Sequence, residues 1–410
     1  MTDPPLLPAS DAPARWRALW TLGVAVVLTM SPWFSAAAVL PQLRDVWHLT
    51  PAQAALLTLA VQGGFVLGAL VTAALNVSDL VRPARLMLWG GLVAGAANAA
   101  IALDVGFAGT VVLRAVTGAA LAWVYPPALK SMATWFRRER GLALGVMVGA
   151  LTLGSALPHL VNGLGGLAWP SVLLTTGALA VLGGVIAARV PGGPYPFPQA
   201  VFDPRGGLRA LSAPAVRLTT LGYLGHMWEL YAMWAWFAPY YASVLREGGG
   251  ADVTRAASLA TFAVIGVGAL GCWAGGMLGD RWGRTRLTAL AMLLSGLSAV
   301  TLAAWPAPPA WGVLAVGLFW GFWVIADSAQ FSTITSEISD ARYVGTALTL
   351  QLALGFTLTA VTITLVPIVQ AAASWQLALG VLAVGPFLGA VAMLRLRALP
   401  DAARIAGGRG

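Results

Sequence analysis

The stretch GGMLGDRWGRTRL, residues 275–287, packs one acid and three arginines into a turn between two long apolar runs, about 255–278 and 286–305. Each run is long enough to cross about 30 Å of hydrocarbon as a helix, so the charged turn marks a membrane face. Working outward with the same test, apolar segments occupy residues 17–40, 52–75, 84–103, 106–130, 141–163 and 170–190, then 215–244, 255–278, 286–305, 310–335, 345–369 and 375–396. A weaker copy of the turn, SDLVRPARL, lies upstream; Asp79 aligns with Asp280 and Arg85 with Arg286, both at an offset of 201 residues. ERGLALG likewise aligns with YVGTALT, placing Gly141 over Gly345 at an offset of 204. The expected fold is therefore an all-α membrane protein of twelve transmembrane helices in two six-helix pseudo-symmetric halves. Parallel repeats of this kind hold a solute site at the bilayer midplane between them. The expected boundaries are a tail 1–16, a bundle 17–190, a central loop 191–214, a second bundle 215–397 and a tail 398–410.

Composition agrees with this plan. Of 410 residues, 59% are hydrophobic and 10% charged, where soluble proteins run at about a quarter charged. So little charge cannot coat a soluble surface. The 48 glycines suit close helix packing in lipid. The single cysteine, Cys272, excludes an intramolecular disulfide and a thiolate metal cluster, and no cofactor motif is present. Residues 1–14 lack the pattern of a cleavable signal peptide, so the first apolar segment is expected to remain as a helix.

The net charge of +9 is a matter of topology. With the N-terminus cytoplasmic, twenty Lys and Arg residues fall on the inner side and three (Arg44, Arg246, Arg255) on the outer side. The positive-inside rule then puts both termini in the cytoplasm. Basic loops also favour anionic lipid over nucleic acid as a partner. The skew to arginine, with Lys130 the only lysine, points to a GC-rich bacterial source and so to an inner membrane.

Three motifs resemble the major facilitator superfamily. GGMLGDRWGRTRL is similar to that superfamily's loop between helices 8 and 9, RAVTG (residues 114–118) to its helix-4 motif, and WFRRERGLALG (residues 135–145) to its loop between helices 4 and 5. The resemblance spans about residues 17–397 and implies a secondary transporter working by alternating access. It also implies a role for Arg114 in cavity polarity and proton movement. Two departures stand out: the loop between helices 2 and 3 lacks the Gly-Arg core, and GALTLGSALPHLVNG in helix 5 lacks the Gly-Pro pair of many drug/proton antiporters.

The loop between helices 8 and 9 has a physical sense of its own. Asp280, Arg281, Arg284 and Arg286 around Gly283 can form a charge cluster that latches one conformation and releases another, with Asp79 and Arg85 as the counterpart. The alternative is a solvated turn that only sets topology. Inside the membrane an ionisable residue costs about 2.5–3.5 kcal/mol or more, so the few present are the site candidates. His226 and Glu229, three apart, share a helix face near the midplane. A carboxylate there loses a desolvation cost on protonation, and a neighbouring histidine offers a relay. They form a proton-coupling or substrate-binding pair, or a buried packing pair. Asp327, in WGFWVIADSAQFST, is a second proton station, a substrate ligand, or a carboxylate tied to nearby hydroxyls or Arg342. Arg114 needs a counter-charge, an anionic ligand or backbone carbonyls. His159, toward the outer end of helix 5, is expected to be a satisfied interfacial histidine. Of 18 Trp, Trp228, Trp320 and Trp323 lie too deep for an interfacial belt. With Trp33, Tyr125 and Gln330 they are the expected cavity lining, which suits an organic solute.

The leading expectation is a monomeric, proton-coupled carrier of a small organic solute. The alternatives are a carrier of an inorganic anion such as nitrate or nitrite, suggested by YPPALK and GSALPHL, and a drug or metabolite exporter. The anion carriers place arginines in helices 2 and 8, where this chain has none. No zinc spacing, nucleophile elbow or phosphate loop points to an enzyme.

Overall fold

The computed structural model describes residues 12–75, 77–136, 139–165, 168–195, 204–249, 252–340 and 343–410, and of Ala12, Pro51, Ser78, Asp79, Arg140, Gly165 and Pro204 the backbone alone. Arg137, Arg138 and Arg342, counted on the inner side above, lie outside the described residues. Ten stretches are long and apolar enough to cross a membrane. They are α2 (Pro51–Ala74), α3 (Pro83–Ala100), α4 (Gly106–Leu121 with Tyr125–Ala133), α5 (Arg140–Gly165) and α6 (Trp169–Ala187). In the second half they are α8 (Val253–Gly266 with Gly268–Trp282), α9 (Arg284–Ala303), α10 (Ala310–Trp323 with Ser328–Ile338), α11 (Val344–Ala372) and α12 (Trp375–Leu382 with Val384–Arg397).

Two more helices complete the twelve. The first, α1, runs Ala12–Met30, breaks over residues 31–34 and resumes as Ser35–Ala38 and Leu40–Trp47. The other, α7, is the continuous Pro214–Glu247, whose His226, Glu229 and many Trp and Tyr dilute its apolar character. Exposed Leu67, Leu103, Trp311 and Leu388 belong to the outward apolar belt that lipid covers. The central loop is not wholly irregular, because a short helix, Pro204–Ser212, packs with Gly207 against Thr346 and Leu350 of α11.

The two halves repeat the same packing. Helix α2 packs on α4 as α8 does on α10; α3 on α6 as α9 on α12; and α1 on α5 and α6 as α7 on α11 and α12. The match reaches single residues. A Cβ added at Gly118 would lie 1.8 Å from the Val61 carbonyl oxygen, and one at Gly321 the same distance from that of Val264. Both pairs are related by an offset of 203 residues, and only glycine permits such an approach. The breaks repeat too. Helix α4 is interrupted between Leu121 and Tyr125, where Pro126 and Pro127 follow, and α10 between Trp323 and Ser328. Between the halves, α5 lies along α8 and α2 along α11. The face of the bundle that carries the turn at Gly283 (φ 98°), with Arg281, Arg284 and Arg286 around it, is the basic face.

Candidate functional site

The break in α10 brings Asp327 beside α7. Asp327 Oδ1 lies 2.8 Å from His226 Nδ1, close but out of line for a directed hydrogen bond. Both residues are 2% exposed, and His226 Nε2 has no partner among the described residues. The imidazole is flanked by the rings of Tyr223 and Phe331, at 6.2 and 5.4 Å between centroids. One turn along α7, Glu229 accepts hydrogen bonds from Trp320 Nε1 at 2.8 Å and from the Ser295 hydroxyl of α9. It is also 2% exposed and has no cation beside it among the described residues. Three ionisable side chains therefore sit together in the second half, and Glu229 and Asp327 are within electrostatic reach of each other.

Arg114 lies in the other half and in another chemistry. It is fully buried, and its guanidinium donates to the carbonyls of Leu57 (3.2 Å), Pro32 (2.6 Å) and Trp33, to Ser35 Oγ (3.1 Å) and to Asn98 Oδ1 (3.4 Å). Every partner is a neutral oxygen. Pro32 and Trp33 belong to the break in α1, whose loosened carbonyls Arg114 satisfies. Asn98 extends the network by donating to Leu173 O and Thr176 Oγ1, both at 2.9 Å. Arg114 thus pins α1, α2, α3 and, through Asn98, α6. Sequence reasoning missed Ser35 and Asn98, since nothing local to them signals a buried cation.

At the seam between the halves, Trp33 and Phe65 meet Tyr231 and Phe356. Ring centroids stand 5.0 Å apart for Trp33–Phe65, 5.2 Å for Phe65–Phe356, 5.1 Å for Tyr231–Phe356 and 6.0 Å for Trp33–Tyr231. Above them Gln62 Oε1 accepts from Thr359 Oγ1 at 2.7 Å, a bond across the seam. Of the expected lining residues, Trp33 and Trp320 are fully buried in the centre, and the Tyr125 phenol is within electrostatic reach of Tyr223 across the seam. Trp228 turns away and donates to Val381 O of α12 at 2.9 Å. Trp323 packs with Phe322 and the exposed Phe319, on the outer side of α10. Phe65, Tyr231 and Phe356 were missed, although an offset of 203 also pairs Met30, Trp33 and Phe34 with Met233, Trp236 and Phe237 and would have marked this region.

Gln330 belongs to the basic face rather than to a cavity. Its Oε1 accepts from Arg284 Nη1 at 2.9 Å and its Nε2 donates to Gly275 O at 3.1 Å. Arg284 also meets Asp280 Oδ1 at 2.9 Å and grips Glu337, with Nε 3.2 Å from each carboxylate oxygen. The Asp280 carboxylate lies against the first turn of α5, where a Cβ at Gly141 would come within 2.6 Å of it. A carboxylate is favoured there by the free N–H groups and the dipole. Arg281, Arg286 and Arg85 are exposed and make no ion pair among the described residues, and the side chain of Asp79 is not described. The cluster therefore turns on Arg284, with Glu337 as a partner 53 residues away that the local motif could not reveal. His159, expected at an interface, is 1% exposed, and neither ring nitrogen has a partner among the described residues.

A sequence model of the Major Facilitator Superfamily matches residues 22–350. Among solved structures, the fold is similar to that of the MFS proton:xylose symporter XylE bound to 6-bromo-6-deoxy-D-glucose, with a TM-score of 0.71 at 15% identity, over 94% of this chain and 96% of that one. At that identity the likeness concerns the fold alone. A search of curated proteins finds no match.

Proposed function

The chain belongs to the major facilitator superfamily, a multi-pass membrane transporter and not an enzyme, and from that premise we propose that it is a proton-coupled carrier of a small organic solute. It works by alternating access in a bacterial inner membrane, as a monomer with both termini cytoplasmic. The observation that carries this reading is Glu229, a buried carboxylate held, among the described residues, by the neutral donors Ser295 and Trp320. Such a group exchanges a proton without breaking an ion pair, and its partners lie on α9 and α10, so its protonation state bears on how three helices pack. The close pair His226 and Asp327 supplies a neighbouring station. Asp280 and Arg284 act from the basic face, holding α8 against α5 in the closed arrangement.

Support for an inorganic anion is weak, because all five contacts of Arg114 go to protein oxygens and leave no fork for nitrate. The test is proton flux in proteoliposomes with a pH-sensitive dye inside, over a panel of nitrate, nitrite, sugars, carboxylates, amino acids, heterocycles and aromatic cations. A solute-evoked pH change that disappears in Glu229→Gln is expected. Labelled solute crossing with no pH change, or an unaltered response in that variant, would return Glu229 to a packing role.

A further inference from the structure

We propose that the seam formed by Trp33, Gln62 and Phe65 on one side and Tyr231, Trp234 and Phe356 on the other binds the solute, and that the solute is an uncharged, planar heterocycle with carbonyl acceptors, of the pyrimidinedione kind. The assignment rests on the carrier reading above. Three independent features set the class. The first is shape. The rings of Trp33, Phe65, Tyr231 and Phe356 come from four helices and both halves, and they meet at tilted or edge-on angles between 37° and 64°. When the halves part, these ring contacts are broken, and a flat solute between them can restore contact with rings of both halves.

The second feature is hydrogen bonding. Trp33 Nε1 and Trp234 Nε1 are buried N–H donors without a partner among the described residues, in side chains that are 1% and 0% exposed. Each unpaired donor costs about 1–3 kcal/mol. The Gln62 amide is engaged by the Thr359 hydroxyl, which also reaches Phe356 O at 2.7 Å, so it comes free only when the seam parts. Donors without acceptors call for a ligand that presents oxygen atoms, and carbonyls at the rim of a flat ring provide them in the plane. A polyol, with a hydroxyl proton for every oxygen, needs as many acceptors as donors.

The third feature is charge. Arg114 ends on oxygens inside the first half, and Glu229 on Ser295 and Trp320 inside the second. Both charges are taken up by these partners. An ion between the rings would lose its hydration with no counter-charge in exchange.

The experiment is equilibrium dialysis of labelled uracil and xanthine against the purified full chain in detergent, with glucose, benzoate and benzylammonium as competitors. Saturable binding of at least one heterocycle is expected, displaced by unlabelled uracil or xanthine and not by the other three. Trp33→Phe and Trp234→Phe each keep an aromatic ring and remove one N–H. Each should weaken binding by about tenfold with an unchanged melting temperature, and Phe65→Leu should weaken it through stacking. Saturable binding of neither heterocycle, equal displacement by glucose or benzoate, or full affinity in both donor variants overturns the assignment. Its failure is separable from that of the carrier reading. Proton-coupled uptake of some other solute that is lost in Glu229→Gln sinks the heterocycle alone, and heterocycle binding without proton flux sinks the coupling alone.

Discussion

Gly118 in the first half and Gly321 in the second let neighbouring helices touch at the same register, yet four residues before each the chain has Arg114 in one and Gly317 in the other. Around this shared frame the halves treat buried charge in opposite ways. The first half holds one permanent cation and surrounds it with five neutral acceptors. The second half gathers His226, Glu229 and Asp327, groups that can change charge, and leaves His226 Nε2 without a partner among the described residues. On the reading proposed above, one repeat serves as an anchor and the other as an exchangeable site. A guanidinium keeps its proton whatever it touches, whereas a carboxylate held by neutral donors can gain one without breaking an ion pair.

Four experiments press on that contrast, beginning with the largest effect. Arg114→Gln should destabilise the protein by about 3–5 kcal/mol, since it leaves buried acceptors unpaired. Thermal unfolding in detergent measures this, and a melting temperature near wild type would mean that the first half is not an anchor. Asp327→Asn should do the reverse, lowering the melting temperature by little while removing most of the proton-coupled uptake. Uptake at the wild-type rate would place the exchangeable site elsewhere.

On the basic face, Arg284→Gln should loosen α8 from α5. Cys272 reports this, because it lies buried on α8 against Gly145 of α5. Its labelling by a maleimide should speed up about tenfold, within the usual range for coupling between sites. No change in rate would remove the latch. The smallest effect belongs to Arg281→Ala and Arg286→Ala, which should alter labelling and transport by less than twofold, as expected of exposed charges. A larger change would bring them back into the cluster.

The positions of the helices were legible because apolar run length is a local property. The expected segment 286–305 became Arg284–Ala303, and 345–369 became Val344–Ala372. The ionisable candidates on α7 and α10 were legible as well, since charge in an apolar run stands out without a partner in view. Their environments were not. Arg114 and His159 each carry a polar group in an apolar helix; one has five partners and the other has none among the described residues. Trp228 and Trp320 both lie deep in their helices, but the helical phase turns one toward α12 and the other onto Glu229.

By itself the sequence determined the class of molecule, the number of its crossings, its twofold repeat and the short roll of residues able to carry charge inside a membrane. Hydrophobic length, glycine at close approaches and the cost of buried charge all act within one segment, so they can be read along the chain. Which oxygen meets which donor was decided by tertiary structure alone. The Arg114 bond to Trp33 spans 81 residues and the Gln62 bond to Thr359 spans 297. No local pattern encodes such pairings, because they depend on how whole helices rotate and slide against one another until their buried polar groups are satisfied.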